Sequence, residues 1–139
     1  MKFWDSSGVV PLLVVEPTTA ALKKILAQDS VMLVWWTTKV ECASAVARRE
    51  RERALASDAV SDALAALEDM SARWLVVDPV DAVQDAAIRF LRVHDLSAGD
   101  ALQLAAAYIG SERRPAGLEF VCRDERLARA AEREGFVVR

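Results

Sequence analysis

Apolar residues along this chain follow two alternating patterns: short continuous runs, and longer stretches with helical spacing. A run of branched or aromatic residues is typical of a strand buried on both faces, whereas a spacing of three or four is typical of a helix packed by one face. The runs predict strands at KFWD (2–5), VMLVWW (31–36), WLVVD (74–78), LEFVC (118–122) and FVV (136–138).

Helices are predicted between these strands, at about 17–28, 39–56, 61–74, 81–93, 99–114 and 124–135. Thr18 or Thr19 is the expected cap of the first, and Gly135 is expected to end the last. No helix is predicted in SSGVVPLL, directly after Asp5. Strands that alternate with helices predict an α/β fold, a parallel sheet of about five strands flanked by helices, in a single domain over 1–139.

Composition agrees with one well-packed domain. The 139 residues are 53% hydrophobic and 28% charged, which excludes a disordered chain. No apolar run reaches the ~20 residues that span a bilayer, and the first residues lack the pattern of a signal peptide, so no membrane association is expected. Cys42 and Cys122 are too few for a disulfide scaffold, so we expect a cytoplasmic protein with both thiols in the core. Trp4, Trp35 and Trp36 are expected in the core as well.

Four acidic residues fall at the carboxyl ends of predicted strands or in the first turn of the helices that follow. In an open parallel sheet these positions share one edge, where ligands bind. The acids are therefore expected to converge on one crevice; they are Asp5, Glu41, Asp100 and Asp124. Asp78, before Pro79, is a possible fifth, although a turn role suits it better.

Helix capping offers a structural interpretation of three of these acids. Thr38 with Glu41, and Ser97 with Asp100, have the spacing of a capping box. Asp124 is placed to cap the helix that follows it. For Asp5 no such role is predicted, because no helix is predicted to begin there.

Taken together, the four acids indicate a metal site. Anions that share a crevice repel one another unless a cation compensates them. Oxygen ligands without histidine or thiolate favour Mg²⁺ or Mn²⁺, and His94, the only histidine, argues against an imidazole site. Such ions activate water and stabilise charge on phosphoryl oxygens, which is the chemistry of phosphodiester cleavage.

Four segments resemble, in order and spacing, the PIN domain, and in particular the VapC-type toxin ribonucleases of bacterial toxin–antitoxin modules. They are WDSSGVVPLL, TTKVECASAVARRERE, SAGDALQLAAA and VCRDERLARAAEREGF. The resemblance runs from Met1 to the C-terminus. It implies an endoribonuclease whose site is Asp5, Glu41, Asp100 and Asp124, with Mg²⁺ or Mn²⁺ as cofactor. Two departures are Gly8, where alanine is usual, and Gln103, where histidine is frequent.

The resemblance also implies supporting residues and partners. Ser7 is expected to support Asp5 through its hydroxyl group. The implied partners are an RNA substrate, a second copy in a homodimer, and an antitoxin whose C-terminal segment covers the site.

The arginines near the end of the second predicted helix have two interpretations. The net charge of −3 does not indicate a nucleic-acid-binding protein, and Arg48 with Glu52 has the spacing of an ion pair on a solvated helix. A carboxylate crevice, however, repels RNA except where the metal lies, so phosphates elsewhere require cations. Arg48 and Arg49 are therefore candidates for RNA contact.

Other functional classes with aspartates at strand ends fit less well. A receiver domain requires adjacent acids after the first strand and a lysine late in the chain, yet Lys39 is the last lysine. Haloacid-dehalogenase-type phosphatases require Asp-x-Asp, and Ser7 stands at the second position. A non-catalytic PIN-fold module that binds RNA or protein stays open as the alternative.

Overall fold

The computed structural model describes residues 1–139 and contains five strands and seven α-helices. The strands are β1 (Lys2–Trp4), β2 (Met32–Trp35), β3 (Leu75–Val77), β4 (Glu119–Val121) and β5 (Val137–Val138). The helices are α1 (Ser6–Leu13), α2 (Thr19–Gln28), α3 (Thr38–Arg51), α4 (Ser57–Ser71), α5 (Asp81–Val93), α6 (Ala98–Gly110) and α7 (Glu125–Arg133), with a short 3₁₀ turn at Pro115–Gly117. None of these helices combines the length and the apolar composition that crossing a bilayer requires.

All five strands are parallel and lie in the order β3-β2-β1-β4-β5. The predicted α/β class, with a five-stranded parallel sheet flanked by helices, is confirmed. The chain proceeds from β1 to β2 and β3 on one side and returns to place β4 and β5 on the other. The strand order therefore reverses between β1 and β4, and their carboxyl ends flank the switch point where sheets of this type bind ligands.

Alternate residues of the central strands build two cores, because successive side chains of a strand point to opposite faces. Phe3, Leu33 and Phe120 face one core, which is completed by α5, α6 and α7. Trp4 and Val34 face the other core, which α1 to α4 cover. Burial of the sheet on both faces explains why its strands appear in the sequence as continuous apolar runs.

Helix α1 corrects the expectation that no helix follows Asp5. Asp5 is its N-cap, and its Oδ2 accepts a hydrogen bond from the Ser7 amide at 2.9 Å. The helix contains Pro11 and Gly8, which have low helix propensity, so the sequence pattern does not show it. Packing compensates, because Val9 is completely buried in the second core.

Two further expectations are wrong. Trp36 is not a core residue: β2 ends at Trp35, and the Trp36 side chain is 59% exposed in the turn before α3. The cap of α3 is Thr37 and not Thr38, so the predicted capping box of Thr38 with Glu41 does not form. Trp4 and Trp35, in contrast, are buried as expected.

Candidate active site

Asp5 lies at the carboxyl end of β1, beside the switch point of the sheet. Its backbone N–H continues the pairing with β4 by donating to the Val121 carbonyl at 3.0 Å. Its side chain is 97% buried, since only 3% of the residue is exposed. Oδ2 accepts hydrogen bonds from the amide and the hydroxyl of Ser7, whereas Oδ1 takes part in no hydrogen bond within the chain.

Ser7 joins the ends of β1 and β4. Its Oγ donates to Asp5 and accepts hydrogen bonds from the backbone N–H groups of Arg123 at 2.8 Å and Asp124 at 3.2 Å. One hydroxyl group therefore holds the first acid and the segment that carries the last acid in a fixed relation. The hydrogen bond from Ser7 to Asp5 is the contact that the family resemblance implies.

Glu41 lies in the first turn of α3, where a carboxylate complements the positive end of the helix dipole. Its Oε1 accepts from the Thr37 hydroxyl at 2.6 Å, and its Oε2 accepts from Gln103 Nε2 at 2.7 Å. Gln103 belongs to α6 and is 99% buried. Glu41 is thus held from its own helix and from the neighbouring one.

Asp100 and Asp124 each lie at a helix N-terminus, as predicted. Ser97 caps α6: its hydroxyl accepts from the Asp100 amide at 3.2 Å and donates to Asp100 Oδ2 at 2.8 Å. Asp124 caps α7, and its Oδ1 accepts from the amides of Arg126 and Leu127 at 2.8 and 2.9 Å. Asp100 Oδ1 and Asp124 Oδ2 take part in no hydrogen bond within the chain.

Two of the other acids contribute to the raised pKa of Asp5. That pKa is about 6: burial raises it most, the Ser7 hydrogen bonds oppose the rise, and the charges of Glu41 and Asp100 add to it. Asp124 adjoins the same region through Ser7 and through Cys122, whose Sγ lies 3.4 Å from the Asp124 carbonyl. The fold brings the four predicted acids to one edge of the sheet, although they are far apart in sequence.

These side chains do not form a compact ligand cluster. No three carboxylate, imidazole or thiol groups lie together in a geometry that would hold a metal ion. The donor chemistry nevertheless fits a hard divalent cation, because every candidate ligand is a carboxylate and three of them keep an oxygen free of protein hydrogen bonds: Asp5, Asp100 and Asp124.

Both thiols are core groups, as the sequence predicts. Burial raises the pKa of Cys122 to about 12 and that of Cys42 still higher, and the charge of Asp5 adds to both shifts. Cys122 is 3.8 Å from Asp5 Oδ2, but a thiol with this pKa stays protonated at neutral pH. It is therefore neither a nucleophile nor a ligand for a hard cation.

A cleft of about 810 Å³ opens beside Glu41, the only one of the four acids that lines it. Its walls include Ser7 and Glu41 from the site, and Arg48 and Arg49 from α3. The two arginines differ: Arg49 forms an ion pair with Glu16, whereas Arg48 has no ion-pair partner and does not pair with Glu52.

Three residues near the site were not predicted to be functional. In the sequence Gln103 is marked only by its departure from the family pattern, because its contact with Glu41 spans 62 positions. Trp36 and Arg123 line the cleft. Arg123 is signalled in the sequence by its position directly before Asp124, at a strand end. Trp36 is an aromatic residue that could stack on a base, but the sequence pattern does not fix the last residue of a strand and so favours the core for it.

No protein-family model matches the chain, and no curated protein matches it. Several solved structures are similar to it, among them the following two. PAE2754 from Pyrobaculum aerophilum has a TM-score of 0.65 and 20% identity, over 99% of this chain and 87% of its own. FitAcB from Neisseria gonorrhoeae has a TM-score of 0.65 and 19% identity, over 99% of this chain and 96% of its own. With these neighbours the chain shares a PIN-like fold, as the sequence motifs predict.

Proposed function

We propose that this protein is a metal-dependent endoribonuclease that hydrolyses phosphodiester bonds with Mg²⁺ or Mn²⁺ at Asp5, Glu41, Asp100 and Asp124. The observation that carries the proposal is the Asp5 carboxylate, which is buried at the switch point, whose pKa is raised by burial and by two neighbouring acids, and whose Oδ1 takes part in no protein hydrogen bond. A carboxylate in that setting is unfavourable unless a cation shares it.

The chain's own residues have separable roles in this proposal. Ser7 orients Asp5 and leaves its Oδ1 free, and Gln103 with Thr37 orients Glu41. The bound ion would supply activation of water and stabilisation of phosphoryl charge. Arg48, without a carboxylate partner, is available to bind a phosphate in the cleft.

RNA as the substrate and a toxin role rest on the resemblance of the four motifs to VapC-type toxins, and the PIN-like fold supports them. The same resemblance supports a homodimer and an antitoxin that covers the cleft. A PIN-fold module that binds RNA or protein without catalysis is the competing function, and an intact set of four acids favours the enzyme.

The test is cleavage of end-labelled RNA by purified protein with EDTA, Mg²⁺ or Mn²⁺. Asp5→Asn and Asp100→Asn should abolish cleavage, since an amide is nearly isosteric but does not neutralise a metal ion. Asn is as good an N-cap as Asp, so Asp5→Asn should stay folded. Asp78→Asn is the matched control, because Asp78 is exposed at the end of β3 on the same sheet edge.

A parent protein that cuts RNA only with metal, together with inactive Asp5→Asn and active Asp78→Asn, would support the proposal. Cleavage by Asp5→Asn at the parent rate would contradict it. Binding of RNA without cleavage under any metal would favour the non-catalytic module.

A further inference from the structure

Trp36 differs from the other three tryptophans in both exposure and location. Trp4 and Trp35 are buried and Trp74 is half-buried, whereas Trp36 is 59% exposed. A single exposed apolar residue is ordinary on a protein surface. The location of Trp36 is what distinguishes it, since its indole lines the cleft that also contains Glu41.

We propose that Trp36 is a substrate-binding residue on which an unpaired nucleobase of the RNA stacks, beside the phosphate to be cut. The inference rests on the proposed function and adds to it the residue that positions the nucleotide. Stacking on an aromatic side chain tolerates any base, because every base has a π-face.

The charges around Trp36 fit a polynucleotide. Arg48 and Arg123 line the same cleft, and neither forms an ion pair within the chain. Cations that track a backbone and an aromatic side chain that receives a base are the two components of single-strand binding sites. Arg49 contributes less, because Glu16 already neutralises it.

Val40 extends the exposed apolar surface of the cleft next to Trp36. Val40 lies in the first turn of α3, is 70% exposed and lines the same cleft as Trp36. Arg48 and Arg123 line the cleft as well and have no ion-pair partner. An apolar surface with free cations beside it favours a base with its phosphates over a purely apolar protein segment.

Stacking on Trp36 requires a base whose face is free. In a double helix each base is already stacked between its neighbours, so its face is not available to the indole. The proposal therefore predicts preference for unpaired RNA at this position.

The experiment measures binding in EDTA, where metal-dependent cleavage does not occur. A labelled single-stranded RNA oligonucleotide and its duplex are titrated with parent, Trp36→Ala, Trp36→Phe and the control Trp74→Phe, by anisotropy and by tryptophan emission. We expect the single strand to quench the emission of Trp36, and Trp36→Ala to weaken binding roughly 5- to 150-fold. Trp36→Phe should retain most of the affinity, and Trp74→Phe should equal the parent.

The salt dependence of binding separates stacking from charge. Trp36→Ala should leave the slope of log K against log salt unchanged, because no phosphate contact is lost. Three results would each overturn the proposal. Trp36→Ala could bind the single strand as tightly as the parent does, the duplex could bind and quench as strongly as the single strand, or the parent could fail to bind the single strand. The proposal would also be overturned if Trp36→Ala bound a protein partner more weakly than the parent but bound RNA equally well. Metal-dependent cleavage by the parent is scored separately, so the proposed function stands or fails on its own result.

Discussion

Gln103 on α6 donates a hydrogen bond from Nε2 to Glu41 Oε2 on α3, at 2.7 Å. The same nitrogen donates to the Thr38 hydroxyl at 3.1 Å, and the opposite amide atom, Oε1, is buried without a donor. A flipped amide would place Oε1 against the carboxylate, so two acceptors would face each other. Gln103 therefore fixes the position of the Glu41 carboxylate while its own Oε1 stays unpaired. The unpaired Oε1 lowers the stability of the folded protein, so the contact favours the placement of Glu41 over stability.

Gln103→Met should reduce RNA cleavage roughly 10- to 100-fold, the range found when a residue that orients a metal ligand is lost. Met is close to Gln in volume and removes the unpaired Oε1, so the melting temperature should stay near that of the parent. Cleavage rates and melting curves of both proteins check this. Parent-like cleavage by Gln103→Met would show that Glu41 needs no support from α6.

Much of this fold follows from hydrophobic periodicity, and the errors have physical causes. The central strands β1, β2 and β4 are visible because burial on both faces leaves a continuous apolar run, and the edge strands β3 and β5 keep such a run although they are partly exposed. Helix α1 is not visible, because Gly8 and Pro11 lower its helix propensity and its stability comes from packing against α2, α3 and α4 and from the Asp5 cap. Trp36 was misplaced because a run of apolar residues does not mark the residue at which a strand ends.

The positions of the acids can be predicted from the ends of the strands, but the hydrogen bonds that the acids form cannot be predicted from those ends. Parallel strands bring their carboxyl ends to one edge, so Asp5 and Asp124 are predicted neighbours. The hydrogen bond between Gln103 and Glu41 depends on how α6 packs against α3, and nothing in the spacing of either helix encodes that contact.

Gly8→Ala should destabilise the protein by about 1–3 kcal/mol, the range for an overpacked site. A Cβ at Gly8 would lie 2.9 Å from the Val121 carbonyl oxygen, a backbone atom that moves only with β4. Gly117→Ala is the control, since a Cβ there meets nothing within 4 Å. Urea denaturation in EDTA measures both variants, and equal stabilities would mean that β4 yields to the added methyl group.

Arg48→Ala and Arg49→Ala should differ in their effect on RNA binding. Arg48 has no ion-pair partner, so its loss should flatten the salt dependence by roughly one slope unit. Arg49 is paired with Glu16, so its loss should change the slope less. RNA titrations in the Asp5→Asn background at several salt concentrations compare them. An unchanged slope for Arg48→Ala would assign this arginine to a solvated helix face.

Asp5 should make the metal-free protein less stable as pH rises. Its pKa is about 6 in the folded state, mainly through burial, against an ordinary value near 3.8. The folded state therefore keeps a proton that the unfolded state releases, and the stability from that proton is lost between about pH 4 and 6. Two pKa units correspond to about 3 kcal/mol. Urea denaturation in EDTA at pH 4, 5, 6 and 7 should show this loss in the parent relative to Asp5→Asn. Parallel profiles for the two proteins would contradict it.

Mg²⁺ should reverse that loss in the parent. An ion that binds only the folded state at about 100 times its Kd adds ~2.7 kcal/mol, which for a domain of this size raises the melting temperature by very roughly 5 °C or more. Asp5→Asn should melt at or above the parent in EDTA, because the change removes a buried anion, and should gain less from Mg²⁺ or Mn²⁺, because it removes a ligand.

Glu41→Gln and Asp78→Asn complete the comparison of metal responses. Glu41→Gln keeps the side-chain shape at α3, so a reduced response to metal would identify Glu41 as a ligand, whereas a parent-like response would leave it a helix-terminal residue held by Gln103. Asp78→Asn should respond to metal as the parent does, since Asp78 is exposed and lies at β3, away from the switch point. The parent could instead show no change in melting temperature with either metal and melt well above Asp5→Asn in EDTA. That result would mean that the hydrogen bonds from Ser7 stabilise the buried carboxylate at the end of β1 and that no cation does so.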